Sequence, residues 1–350
     1  MERNKERTQM LDLMLRPAFS VEDGTIRHIN PAAAKFMLTE GTPIAPLLAT
    51  GKEEYADFTG CIQLSVQLGP QTVDATVVHM EDVDIFLPDQ LSADEQLQVL
   101  SLASMQLRES LTGLAAVTDR LLPEADATLA AQANRRVYQL MRILSNMADA
   151  PRFSRPSACR MEYTEVCSFI EEILEKADSM LENIQLRIES RLPGTPIFTL
   201  LDREQMERAI YNLLSNAAKY GRPGTPIQVQ LQQQNQRLRL SVTNSTDDPV
   251  APQQLYDQFL RELTLEDPAK GLGLGLLLVR RAAVNHGGVL LMDQPARGNT
   301  RLTMTFAIRH SDSSGVRSPI FGMDYAGERD HALLELADVL PAELYRPEKN

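Results

Sequence analysis

The sequence predicts an α+β multidomain protein, and three observations carry that prediction. Residues 17–34 read as strand, tight turn, strand and the start of a helix. Leu100, Leu107, Leu114 and Leu121 recur every seven residues, the spacing of a helix–helix seam. From Cys159 to Arg309 helix-period and strand-period segments alternate, as they do in a helix-on-sheet sandwich. The expected division is a small α/β unit at 1–90, a helical hairpin at 91–152, an α/β sandwich at 156–310, and a linker with a terminal helix at 311–350.

In the first unit, Asp23-Gly24 supplies the turn between two strands. Asn30 then caps a helix that begins at Pro31, where the missing N–H costs nothing. Strands follow at 60–68 and 71–79, joined by the Gly69-Pro70 turn. In the second unit, Leu97, Ser104, Leu111 and Thr118 fill the alternate seam row, and Pro123 ends the helix. A second helix places Val137, Leu140, Met141, Leu144 and Met147 on one face. Two such helices cannot bury their faces alone, so pairing with a second copy into a four-helix bundle is expected.

A proline- and arginine-containing linker at 151–156 leads into the sandwich. Its pattern predicts helix over most of 162–183, strand at 185–189, helix at 202–219, and strands at 227–233 and 237–244. Helix at 274–285 and strands at 289–293 and 300–308 follow. The last helix is expected at 331–340, with Leu333, Leu334, Leu336, Val339 and Leu340 available for packing.

The formal net charge is −12, and an acidic surface repels phosphodiesters, which argues against nucleic-acid binding. Cys61, Cys159 and Cys167 have no metal-ligand spacing, and their odd number gives no disulfide framework. The longest apolar run, near Leu274 to Val279, falls short of the roughly 18 residues a membrane span needs. A cytoplasmic protein is the expectation.

Two motifs carry chemistry. Asn212-Leu-Leu-Ser-Asn216-Ala-Ala-Lys219-Tyr220 places two carboxamides four residues apart on one helix, with Lys219 near the next turn. Gly271-Leu272-Gly273-Leu274-Gly275-Leu276 alternates glycines before a helix, where backbone amides favour an anion. Alone, the first motif reads as capping or surface groups and the second as a loose loop. In this order and spacing they resemble the N box and the second glycine box of the histidine kinase ATP-binding domain, a member of the GHKL superfamily.

The resemblance implies ATP as cofactor, with Mg2+ bound by Asn216 and Asn212 in support. Lys219 could meet a phosphate as a point charge. The family's adenine-binding aspartate falls on Asn244, and both glycines that follow it there are missing. An asparagine oxygen still accepts a hydrogen bond but carries no charge. Residues 255–259 resemble the family's F box, with Phe259 as its aromatic and Arg261 as the basic residue after it. His286, beside the Gly287-Gly288 turn, reads as structural. The opening, over about twenty residues, resembles a PAS sensor domain, and a small α+β docking domain is the other reading of the same pattern.

The hairpin resembles the kinase dimerisation and phosphotransfer hairpin, with one departure. Aligned on Leu107, Arg108 and Leu111, Met105 takes the phosphoaccepting histidine's place and Gln106 that of the neighbouring acid. A thioether is no phosphoacceptor, and no histidine lies on the hairpin. The resulting expectation is a homodimeric, ATP-binding signalling protein that does not phosphorylate itself at the usual position. It would act through a response regulator or a partner kinase. Two further readings stand beside it, a kinase acting on a separate protein and a non-enzymatic dimeric scaffold.

Overall fold

The computed structural model describes residues 8–80, 82–88, 107, 127–153, 159–246, 274–309 and 330–346. The first hairpin helix apart from Leu107, with Met105 in it, and Phe259, Arg261, Gly271 and Gly273 therefore lie outside the described residues.

The N-terminal unit holds β1 (Phe19–Glu22), β2 (Thr25–Ile29), α1 (Lys52–Asp57), β3 (Cys61–Leu68), β4 (Gln71–Met80) and β5 (Val83–Pro88). Asn30 caps as expected, but the turn it starts is a 3-10 helix over Pro31–Phe36. Its fully buried carboxamide accepts from the Ala18 and Ala33 amides, both at 2.9 Å, and donates to the carbonyls of Leu11 and Arg16 at 3.1 and 2.9 Å. One side chain thus ties the N-terminal segment to the first strand.

The second unit contributes α2 (Ala127–Phe153). The sandwich holds β6 (Glu162–Glu165), α3 (Val166–Leu181), β7 (Ile188–Arg191), β8 (Phe198–Leu201), α4 (Arg203–Tyr220), β9 (Ile227–Gln234), β10 (Arg237–Ser245), α5 (Leu274–Asn285), β11 (Leu290–Asp293) and β12 (Asn299–Ala307). The expected helix at 162–183 begins four residues late. Residues 162–165 pair with β8, a strand that sequence pattern missed. Glu165 then caps α3, accepting from the Cys167, Ser168 and Ile197 amides. Desolvation pulls the other way, but these bonds hold its carboxyl down to about 2.

The main sheet has ten strands in the order β2-β1-β5-β4-β3-β11-β12-β10-β9-β7. The two α/β units therefore share one sheet. At the seam Cys61, Ile62 and Gln63 of β3 face Met292, Leu291 and Leu290 of β11. Gly60 makes this approach possible. It has φ of +80°, and a Cβ there would stand 2.5 Å from the Met292 carbonyl oxygen. Polar ties cross the same seam. Glu54 accepts from the Thr305 hydroxyl at 2.9 Å and pairs with Arg237 at 3.1 Å. Asp74 pairs with Arg281 at 2.9 Å and Arg280 at 3.3 Å. Burial opposes the Asp74 charge, yet the two guanidiniums and the Ser65 hydroxyl keep its carboxyl below the usual range.

The sandwich core lies between the sheet and α3, α4 and α5. Along β10 burial alternates, with Leu238, Leu240 and Val242 turned inward, the period of a strand covered on one face. The expected terminal helix at 331–340 is shorter. Only α6 (His331–Glu335) is helical, followed by turns and a 3-10 segment at Ala342–Tyr345. Its apolar residues do pack, with Leu336 and Leu340 buried in the main core and Leu334 buried as well. On α2, Val137 and Leu144 are buried but Leu140 is exposed. The inward face of that helix also carries Asn134, Arg142, Ser145 and Asn146. No helix among the described residues is long and apolar enough to cross a membrane.

Candidate functional site

The second half of α4 meets two other segments, the start of α5 at Asn212 and, just past its last turn, the end of β10 at Gly221. Asp202 caps α4 by accepting from the Gln205 amide at 3.0 Å. The helix then runs buried on nearly all sides as far as Ala217. Asn216 emerges half-buried, and its side chain has no hydrogen-bond partner among the described residues. Lys219 lies one turn on, its ammonium 5.7 Å from the centroid of the exposed Tyr220 ring.

Asn244 approaches from β10. Gly221, just past α4, sits so close that a Cβ would lie 3.7 Å from the Asn244 Cβ. Arg222 N–H donates to the Ser245 carbonyl at 2.7 Å, which fastens the helix end to the strand end. Asn244 is buried, and its Nδ2 has no hydrogen-bond partner among the described residues. An orphaned buried carboxamide is costly in a finished core and useful where a polar ligand completes it. A carboxamide both donates and accepts, which matches the edge of an adenine ring. The half-free Asn216 oxygen suits Mg2+, which prefers oxygen ligands. These residues fit a nucleotide and its metal ion.

Asn212 does not share this setting. Sequence spacing places it on the same face as Asn216, yet it is buried beneath α2 and α5. Its Oδ1 accepts from Arg142 Nη2 at 3.1 Å, and its Nδ2 donates to the Arg208 carbonyl at 2.8 Å. Gly275 presses on the same oxygen, since a Cβ there would stand 2.6 Å from Asn212 Oδ1. Gly275 is thus one of the expected loop glycines, but its described role is to let α5 close on α4. Leu276, next to it, is half-buried and packs against the main core. Arg142 had no signal in the sequence, because nothing local links it to residues seventy positions away.

Comparison with known proteins bears on this arrangement. Residues 201–310 match the family described as histidine kinase-, DNA gyrase B- and HSP90-like ATPase. The matched stretch spans α4, β10, α5 and the strands between and after them. Over 223 residues the chain is 26% identical to the signal transduction histidine-protein kinase/phosphatase MprB of Mycolicibacterium vanbaalenii, covering 60% of this chain and 45% of that protein. Over 240 residues it is 24% identical to the adaptive-response sensory kinase SasA of a Synechococcus strain, covering 64% of this chain and 63% of that one. A solved mycobacterial sensor histidine kinase MprB structure matches 43% of this chain and 99% of its own at 27% identity, with a TM-score of 0.36. Residues 201–310 belong to this ATPase family, and the chain is similar to bacterial sensor histidine kinases. It spans about half the length of the curated relatives it matches.

Within this kinase-type domain His286 is a structural residue, as its place beside the glycine turn suggested. It is buried, and it has partners that sequence alone did not supply. Its Nε2 accepts from the Asp202 amide at 2.9 Å, and its Nδ1 donates to the Ala282 carbonyl at 2.7 Å. That pairing requires the neutral ring, and burial holds its pKa below the ordinary value of 6.5. The sign follows from proton counting. Below about pH 6.5 the unfolded chain binds a proton that the folded chain refuses. This contribution is therefore complete above pH 6.5 and drains away as pH falls. In urea titrations the wild type should lose more stability between pH 7.5 and 5.5 than a His286→Gln variant. Equal losses would exclude His286 as a source of acid sensitivity.

Proposed function

We propose that the chain is an ATP-binding signalling protein of the sensor kinase family that does not accept phosphate on its own hairpin. The observation that supports the nucleotide reading is the buried Asn244 carboxamide, whose Nδ2 has no hydrogen-bond partner among the described residues, at the strand end that meets the end of α4 through Gly221. Asn216 would hold the Mg2+ and Asn244 the base, with Lys219 near the phosphates. Phe259, Arg261, Gly271 and Gly273 would complete the site from the intervening segment. Asn244 replaces a charge-assisted contact by a neutral one, which is worth roughly half as much.

The loss of the acceptor rests on the sequence at Met105 and Gln106. The two-strand opening and the Asn30 cap support a PAS-like input unit. The exposed Leu129 and Leu140 on α2 support a helical partner there, in keeping with a homodimeric hairpin. Signalling would then pass by shape or through a docked response regulator.

One experiment tests the core of this reading. Purified protein is titrated with labelled ATP in the presence and absence of Mg2+, beside Asn216→Ala. The wild type should bind with Mg2+ and gain no acid-labile phosphate, and the variant should lose the Mg2+-dependent part of binding. Equal affinity in both proteins would remove Asn216 from the site. Acid-labile phosphate on the wild-type hairpin would refute the missing acceptor.

A further inference from the structure

The C-terminal segment 330–346 lies outside the stretch matched to the ATPase family, yet it is knitted into the molecule at the level of the nucleotide site. It lies against α2 along much of its length. Arg135 donates to the carbonyls of Ala337 and Asp338 at 3.2 and 3.1 Å, and Gln139 donates to Ala337 at 3.1 Å. Asn134 donates to the Tyr345 carbonyl at 2.8 Å, and the Tyr345 ring meets Tyr138 edge-on with centroids 5.0 Å apart.

Deeper in, Arg142 is held by two tail carboxylates, Glu335 at 3.3 Å and Asp338 at 2.6 Å. The third arm of the same guanidinium reaches Asn212 Oδ1 at 3.1 Å. Both polar atoms of Asn212 are therefore spent inside the protein, while the side chain of Asn216, one turn along, has no hydrogen-bond partner among the described residues. Glu335 also receives Arg208 of α4 at 3.2 Å, so a single tail carboxylate joins the hairpin helix to the N-box helix.

We infer that the tail is an autoinhibitory clasp that, through Arg142, holds Asn212 away from the nucleotide. This rests on the nucleotide reading above. Arg142 is a positioning residue in this scheme. Its planar fork is what allows one side chain to answer two carboxylates and a carboxamide together. With Arg142 released, Asn212 can turn toward the metal ion and phosphates beside Asn216, and the site gains a ligand. Any partner that draws the tail off α2 would raise nucleotide affinity in the same way, since the two binding events share one coupling energy.

The test is a double-mutant cycle on the full chain, read as Mg-ATP affinity. Arg142→Met should tighten binding by about fivefold or more, the lower bound of ordinary coupling between sites. Asp338→Asn, which leaves Glu335 in place, should move affinity in the same direction by less, and it serves if Arg142→Met does not fold. In an Asn212→Ala background both substitutions should leave affinity unchanged. Folded variants that bind as the wild type does, or more weakly, overturn the clasp, as does a gain that persists without Asn212. Asn216→Ala in parallel separates the two readings. If it abolishes binding while Arg142→Met gains nothing, the clasp alone fails. If Asn216→Ala binds normally, the nucleotide site fails with it.

Discussion

Replacing Glu335 by alanine should destabilise the fold by about 3 kcal/mol, the lower edge of the range for breaking a buried ion pair. Glu335 is fully buried, and it receives one guanidinium from each of two helices, Arg142 at 3.3 Å and Arg208 at 3.2 Å. Both arginines are themselves buried. Removing the carboxylate strands two cations away from water, and desolvation makes that costly. The loss stays at the lower edge because each arginine keeps one acid, Asp338 for Arg142 and Asp149 for Arg208. Glu335→Gln retains the volume and one acceptor, so it should fall between wild type and alanine. Urea unfolding monitored by circular dichroism measures all three. An alanine variant as stable as the wild type would mean that the tail is not anchored through this residue. A loss of this size is a large share of a stability that for most domains totals about 5–15 kcal/mol.

Gly288→Ala should cost at least about 3 kcal/mol, the top of the usual overpacking range. A Cβ at this position would stand 1.8 Å from the Thr305 carbonyl oxygen and 2.8 Å from the Phe306 nitrogen. Those are backbone atoms of a central strand, so no side-chain rotation relieves the clash. The damage should spread to both sides. Thr305 also bonds Val289 through its backbone, with N–H to carbonyl at 2.9 Å, and its hydroxyl donates to Glu54 across the seam. Calorimetry should show a lowered melting temperature, and proteolysis should open the β3–β11 seam earlier than in the wild type. An unchanged melting temperature would show that β12 can shift without penalty. The His286-Gly287-Gly288 turn thus has a mechanical explanation: a buried ring pinned to α4, then two glycines that let the chain pass against β12.

Most of the element order of the sandwich was legible because the longer elements carry their own signals. Asp202 before an apolar-faced run, the alternation along β10, and the glycines before Leu274 are local facts, and helix caps and strand periods act over a few residues. The same holds for Asn30 at its 3-10 turn. Short elements were harder to see. Phe198–Leu201 has four residues and gains its identity only by pairing with Glu162–Glu165. Asn216 and Asn244 were legible as candidates, and the structure leaves both with hydrogen-bonding capacity to spare.

What the sequence by itself determined is therefore the longer elements of the sandwich, the pattern of the two motifs and the absence of a histidine between residues 91 and 152. Those depend on residue type and spacing along the chain. Only the tertiary structure decided that β3 joins β11 in one sheet, that His286 binds the Asp202 amide, and that Arg142 and Glu335 reach Asn212 and Arg208. These are contacts between residues separated by tens to hundreds of positions. An edge strand offers the same unpaired N–H and C=O groups to any partner. A buried arginine is stable only where acids from elsewhere in the chain meet it. Which partner arrives is settled by how the elements pack, and no local pattern encodes it.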